Sequence, residues 1–256
     1  MMSIPRVGAF AGEGPANKEN IMENNDTKDI IKYSLISPVK EILADIAEMG
    51  VDEAIEKISK EQSVLKDIPV IRWLLFANDV RTTIQSAFFI RKYAHFIGPI
   101  NETMKDDLVN EARLVEIFSD KKVFSKIIDQ TIICLDRYQT IPKADIISKL
   151  FIETFKNNNF SMKEYNTLLF SIEFIHPSIG FECLKSFYDY KNELNKEKDK
   201  EKRDEILMKR SSLDYSPLVN TGLLILPMGA MIIGSYGGAV INELGYRFYE
   251  LVVSKI

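Results

Sequence analysis

The chain has 256 residues, of which 46% are hydrophobic and 27% charged, with a formal net charge of −4 and a pI near 5.5. This composition provides enough apolar surface for a sizeable core in one or two domains. The weakly acidic balance excludes broad, sequence-independent binding of phosphate backbones as a property of the whole surface.

Histidine and cysteine, which most often carry catalysis and metal binding, are scarce. The two cysteines, Cys134 and Cys183, and the two histidines, His95 and His176, are widely separated and cannot supply a zinc site of the usual spacing. No sequence signal pairs a nucleophile with a base. Both cysteines have apolar neighbours, as buried thiols in a reducing compartment do, and no secretory signal is evident. We therefore expect a cytoplasmic protein that is not an enzyme, with no catalytic, cofactor-binding or metal-binding residues.

The first part of the chain predicts an arm followed by a helical body. Residues 1–28 combine glycines, prolines and a polar run, which indicates a disordered N-terminal arm. From residue 29, apolar residues recur at three- and four-residue steps, and this predicts a helical body over 29–190. Its first helix should stop at Gly50, with a second beginning at Val51. A long apolar helix should follow from Asp67, with further helices over 101–118 and 120–138.

A helical hairpin is the clearest local signal in this body. Pro142 lies in the first turn of one arm, and residues 157–159, three consecutive asparagines, form the turn. Ser161 and Glu164 make a capping box at the start of the second arm. Residues 191–212 come next, as a charged helix or linker. Because 191–205 carry six charges of each sign, this stretch is typical of a solvated helix face and not of a nucleic-acid tail.

The last segment, 213–256, is chemically distinct because no charged residue lies between Tyr215 and Asn242. One interpretation is a β-hairpin with strands at 223–226 and 231–233 and a turn at 227–230. The other is a membrane segment over 216–241, since a long uncharged apolar stretch can cross a bilayer. Residues 242–248 open a closing amphipathic helix. The predicted fold class is therefore mainly α, a multi-helix body with a small C-terminal β-hairpin plus helix that is similar to the end of a winged-helix domain.

Six short motifs occur in an order that resembles bacterial abortive-infection alpha-like proteins, across about residues 38–256. They lie at 67–71, 89–97, 147–151, 159–165, 221–224 and 242–248. The resemblance implies a role in phage defence through harm to, or arrest of, the infected cell. It implies no catalytic residues, because that family carries no established ones.

Three functions follow as hypotheses. The first is a non-catalytic antiviral defence or effector protein that acts through protein contacts, with residues 216–241 as a route to the membrane. The second is a soluble helical adaptor or regulator that binds a protein partner. The third is a nucleic-acid-binding regulator in which four cations face phosphates, which the acidic balance argues against. Those cations are Arg203, Lys209, Arg210 and Arg247. The expected partner is another protein or a second copy of the chain, in the cytoplasm or associated with a membrane.

Overall fold

The fold is mainly α-helical, as the sequence predicts, and a computed structural model describes residues 37–65, 80–104, 121–138, 140–226 and 238–256. The helices are α1 (Ser37–Glu48), α2 (Val51–Lys60), α3 (Gln62–Leu65), α4 (Val80–Met104), α5 (Lys121–Arg137), α6 (Ile141–Phe155), α7 (Met162–Phe174), α8 (Gly180–Lys196), α9 (Lys200–Lys209) and α10 (Glu243–Leu251). Short 3-10 turns span Arg210–Ser212, Ser216–Leu218 and Val253–Lys255. The strands are β1 (Leu224–Ile225) and β2 (Val240–Ile241).

Several sequence predictions fall outside the described residues. They are the N-terminal arm at 1–28, the start of the helix predicted from Asp67, most of the helix at 101–118, and the turn and strand at 227–230 and 231–233.

The predicted break between the first two helices is confirmed. The α1 helix ends at Glu48, and the Gly50 N–H donates to the Glu53 carboxylate at 3.3 Å, which begins α2. Both helices pack against α4, burying Ile46 and Ala54 completely. A local glycine stop therefore folds α2 back onto the same long helix that α1 contacts.

The α4 helix extends further than the sequence suggests. A separate helix is predicted from Asn101, but α4 continues past Pro99 to Met104. Phe96, Ile97 and Ile100 are almost fully buried on either side of this proline. Burial of these side chains offsets the backbone hydrogen bond that a proline removes, so tertiary packing carries the helix through.

A cluster of aromatic rings joins α4, α6 and α7, and α4 makes its most extensive interface with α6. Phe96 meets Phe151 edge-to-face at 5.7 Å, and Phe155 meets Tyr165 at 5.1 Å. The fully buried Tyr165 hydroxyl lies 2.8 Å from the Thr131 hydroxyl of α5. This polar pair satisfies both groups inside the core and adds the fourth helix to the cluster.

The predicted helical hairpin is confirmed at α6 and α7. Asn158 has a φ of 56°, a left-handed conformation that asparagine tolerates better than most residues. The Glu164 N–H donates to the Ser161 hydroxyl at 3.3 Å, and the Ser161 N–H donates to the Glu164 carboxylate at 2.7 Å. The capping box read from the sequence therefore begins α7.

The predicted small antiparallel sheet near the C-terminus is confirmed, but its described second strand lies at Val240–Ile241, a position that the sequence did not indicate. The strands β1 and β2 are antiparallel, with Leu224 opposite Ile241 and Ile225 opposite Val240. The strand expected at 231–233 lies outside the described residues. Leu224 and Ile241 face the core. No helix in the described ranges is long and apolar enough to span a bilayer.

The C-terminal segment shares its hydrophobic core with the helical body. The α10 helix packs against α8, and Phe248 and Val252 are fully buried in the same cluster as Ile46 and Phe151. The α8 helix itself runs across residue 190, where the sequence suggests that the body ends. The charged α9 helix, by contrast, buries only Ile206 among its residues.

Arg247 connects α10 to the turn between α6 and α7. Its guanidinium donates to the Glu164 carboxylate at 2.8 Å and to the Asn159 carbonyl, and it lies 4.9 Å from the centre of the Phe160 ring. Glu164 thus caps α7 and pairs with Arg247 at once. Hydrogen bonds from the Ser161 backbone, and then the guanidinium, hold the pKa of the Glu164 carboxyl below its usual value.

We expect Gly245→Ala to destabilise the protein by about 1–3 kcal/mol, although alanine favours a helix over glycine. A Cβ at Gly245 would lie 2.5 Å from the Leu223 carbonyl oxygen, so β1 and α10 could not keep their spacing. Gly98 in α4 is the matched control because a Cβ there meets nothing within 4 Å. Gly98→Ala should stabilise by about 0.5–1 kcal/mol in the same urea titration. Two variants that shift stability in the same direction would contradict the close packing at Gly245.

We expect Arg247→Ala to lower the free energy of unfolding by about 1–2 kcal/mol, because it removes an ion pair, a carbonyl hydrogen bond and a ring contact together. Lys209→Ala removes an exposed pair with Glu193 and should stay within about 0.5 kcal/mol of wild type. Arg247→Lys should fall between the two, since an ammonium keeps the charge but loses the planar fork. Equal losses for Arg247→Ala and Lys209→Ala in urea unfolding would disprove the connecting role of Arg247.

Candidate functional site

The two histidines and two cysteines lie on four different parts of the fold. Cys134 is in α5 and Cys183 in α8, and both are free thiols. Burial raises the pKa of both thiols, which favours the protonated and less reactive form. Within the described ranges, no group of three or more His, Cys, Asp or Glu side chains is placed to hold a metal ion.

His95 is a structural connection between three helices. Its Nδ1 lies 2.8 Å from the Asp145 carboxylate of α6, and its Nε2 lies 3.1 Å from the Ala47 carbonyl of α1. The Asp145 hydrogen bond is the largest cause that raises the pKa of His95, while partial burial and the Arg91 charge oppose it. Protonated His95 can donate to both partners at once, so its charge stabilises the contact of α4 with α1 and α6.

A cleft of about 500 Å³ opens where four segments meet, a volume within the range of ligand-binding pockets. The segments are the end of α5, the start of α6, the end of α7 with the loop after it, and the 3-10 turn Ser216–Leu218. His176 of that loop lines the cleft, and its Nδ1 accepts hydrogen bonds from the Ser178 and Ile179 N–H groups at 3.3 and 3.4 Å. We name this feature the α5–α7 cleft.

Two buried lysines form hydrogen bonds to the ends of the helices α5 and α7 that border the α5–α7 cleft. The Lys92 amine of α4 donates to the carbonyls of Asp136 at 2.9 Å and Tyr138 at 2.8 Å, at the end of α5. The Lys143 amine of α6 donates to the Glu173 carbonyl at 3.1 Å, in the last turn of α7. Both lysines are about 5% exposed, and burial lowers the pKa of both amines. Each amine thereby supplies a donor to a helix end that would otherwise lack one.

The remaining wall is fixed by hydrogen bonds from short polar side chains. The Ser171 hydroxyl of α7 donates to the Thr221 carbonyl at 2.6 Å. The Asp214 carboxylate accepts the Ser216 N–H at 2.9 Å, where the 3-10 turn starts. These bonds set the chain beside the end of α7, where Pro217 contributes to the lining.

The polar part of the cleft carries two cations and one carboxylate among the described residues. The Arg137 side chain is 61% exposed, and its guanidinium lies 3.7 Å from the Glu173 carboxylate, which exceeds a normal hydrogen bond. Lys143 sits deeper, with its amine 5.4 Å from the centre of the Tyr138 ring. The first turn of α6, which reads Ile-Pro-Lys-Ala, holds no carboxylate and adds the positive end of its dipole. The cleft therefore has a net positive lining.

An aromatic pair forms the apolar edge of the cleft. Phe174 lines it and is 45% exposed, and Phe170, one helical turn earlier, is 53% exposed. Their ring centres are 4.5 Å apart with planes at 43°. The pair continues outward from the cleft along α7, so the apolar surface is longer than the cavity itself. Exposed large apolar groups beside a concave polar site are typical of binding surfaces.

Sequence reasoning did not identify this site, although one signal for it was present. The buried stripe of α7 consists of Tyr165, Leu168, Leu169 and Ile172. Phe170 and Phe174 are four residues apart and lie off that stripe, on a second apolar face of the helix. Two large aromatic residues on a helical face that the core does not use indicate an exposed surface.

Three of the cations proposed for phosphate binding have partners within the chain. Arg247 pairs with Glu164, and Lys209 donates to the Glu193 carboxylate at 2.9 Å. Arg203 donates to the Leu194 carbonyl at 2.9 Å. These three side chains would have to give up intramolecular partners to contact a nucleic acid.

Comparison with known proteins gives no relative: no family model, no curated protein and no solved structure matches the chain.

We expect the contribution of His95 to stability to decrease as the pH rises. A histidine whose folded pKa is raised contributes fully below its unfolded pKa of about 6.5, and this contribution is lost as the pH rises through the folded pKa. The stability difference between wild type and His95→Gln should therefore be larger at about pH 5.5 than at about pH 9, in urea titrations at each pH.

Asp145→Asn provides a second variant that leaves the imidazole in place. It removes the carboxylate that raises the pKa of His95. When His95→Gln is made in the Asp145→Asn background, its effect on stability should therefore depend less on pH. His176→Gln is the matched control for loss of an exposed histidine. A His95→Gln difference that stays constant with pH would show that His95 does not stabilise the fold through its charge.

Proposed function

We propose that this protein acts without catalysis, through contacts made at the α5–α7 cleft with another protein, as an effector in antiviral defence. The observation that supports protein contact is the exposed Phe170–Phe174 pair beside a preformed, positively lined cleft. Aromatic side chains and arginine are the residues that most often contribute binding energy at protein interfaces.

The defence role rests on the resemblance of the motif order to abortive-infection alpha-like proteins. Two of those motifs are structural: residues 159–165 build the α7 capping box, and 242–248 provide Arg247 and the start of α10. Both motifs position the start of α7, the helix whose last turn borders the cleft. They supply no catalytic group, which agrees with action by contact.

The alternative of a general helical adaptor would use the same cleft, so a phenotype must separate the two. We expect a susceptible bacterium that expresses the chain to plate phage with at least about tenfold lower efficiency than an empty-vector strain. Cultures should survive at low multiplicity of infection and collapse at high multiplicity, because an abortive response sacrifices infected cells. Equal plating of a panel of phages on both strains would contradict the defence role.

Cleft variants test whether defence depends on protein contact at this site. Phe174→Ser and Arg137→Glu should each restore phage plating by at least about tenfold, since both side chains are exposed and their loss leaves the core intact. Met208→Ser and Lys126→Glu are matched controls, because both residues are exposed and outside the cleft lining. Immunoblots must show equal protein levels. Full protection by the two cleft variants would show that the cleft has no part in defence.

A further inference from the structure

The α5–α7 cleft has features that restrict the chemistry of what it can accept, and this inference rests on the proposed function. Its cavity of about 500 Å³ is too small for a folded surface but large enough for a few side chains. Only a protruding or extended segment of a partner can enter a cavity of that size.

The charge of the lining favours an acidic occupant. Arg137 and Lys143 outnumber the single carboxylate, Glu173, among the described residues that line the cleft. The Arg137 guanidinium lies 3.7 Å from the Glu173 carboxylate without a close hydrogen bond, and the Arg137 side chain is 61% exposed. An incoming carboxylate can therefore use the N–H fork of Arg137 in the geometry that guanidinium and carboxylate groups share.

Lys143 adds a buried positive charge that the fold only partly compensates. Its amine has three N–H donors, one of which meets the Glu173 carbonyl. Burial lowers the pKa of this amine, and a second carboxylate nearby would raise it again. An anionic group in the cleft would thus stabilise the charged lysine as well as Arg137.

The aromatic pair determines what must stand next to the acid. Phe174 borders the cleft, and Phe170 extends the same surface outward by one helical turn. An inorganic anion or a free carboxylic acid would leave both rings exposed to water. A peptide with an aromatic or large aliphatic side chain close to its acidic residue would cover them.

We infer that the α5–α7 cleft binds a short peptide segment of a partner protein in which an acidic residue lies within a few positions of an aromatic or large aliphatic residue. The carboxylate meets Arg137 at the mouth of the cleft, above Lys143. The apolar side chain packs on Phe174 and Phe170.

The test uses the full-length protein and a displayed library of random heptapeptides, with selection on wild type and counter-selection on the double variant Arg137→Glu, Phe174→Ser. The enriched peptides should share an acidic residue close to an aromatic or large aliphatic one. Fluorescence anisotropy with one synthesised peptide then measures affinity. Replacing its acid by the amide, or its apolar residue by glycine, should each weaken binding at least about tenfold.

Variants of the protein should show the same pattern. Arg137→Glu and Phe174→Ser should each weaken binding at least about tenfold, whereas Lys126→Glu and Met208→Ser should stay within about twofold. Arg137→Glu should also gain affinity for the peptide in which lysine replaces the acid. This rescue would show that the variant is folded and that the two charges meet.

Three results would overturn the inference. They are no enrichment over the double variant, a consensus without acidic residues, and displacement of the peptide by inorganic phosphate alone at comparable concentration. Cleft-dependent phage protection together with any of these would leave the proposed function in place and remove only the peptide. Peptide binding without phage protection would do the reverse, removing the defence role and keeping the ligand class.

Discussion

The ends of α5 and α7 meet at the α5–α7 cleft, and the partly buried carbonyl groups of their last turns need hydrogen-bond donors. A buried carbonyl without a donor costs about 1–3 kcal/mol, so each end needs a partner from elsewhere in the chain. Lys92 provides it for α5 and Lys143 for α7, with amines 2.8 to 3.1 Å from the carbonyls. Burying a lysine amine is itself costly, and these hydrogen bonds offset that cost. The positions of the two helix ends, and hence the shape of the α5–α7 cleft, depend on this arrangement.

The same constraint explains why the cleft is positively lined. A helix C-terminus favours cations, and at the end of α7 the cation Lys143 comes from the neighbouring helix α6. Arg137 adds positive charge to the lining because it lies in the last turn of α5. The hydrogen bond of Lys143 to the end of α7 orders this part of the lining before a partner binds, which lowers the entropic cost of binding.

Arg247 links this frame to the C-terminal segment. By pairing with Glu164, it joins α10 to the residue that caps α7, so the apolar end of the chain and the helical hairpin stabilise each other. The charge-free tract packs partly into the common core, where Leu218 and Leu223 are fully buried. Leu218, Leu223 and Leu224 use this apolar character for interior packing, whereas Val219 and Ile225 remain exposed.

Local chemistry let the sequence determine the helical class, the stop at Gly50, the α6–α7 turn and the capping box, because neighbouring residues decide each of these. The sequence alone could not determine the contacts between residues that are far apart along the chain. Lys92 meets Tyr138 across 46 positions, His95 meets Asp145 across 50, and β1 pairs with a strand about fifteen residues later. The passage of α4 through Pro99 was likewise decided by burial on both sides of the proline. Periodicity shows which face of a helix is apolar, but only the packed structure shows that the face of α7 carrying Phe170 and Phe174 stays exposed beside a cleft, since that depends on how four segments meet in space.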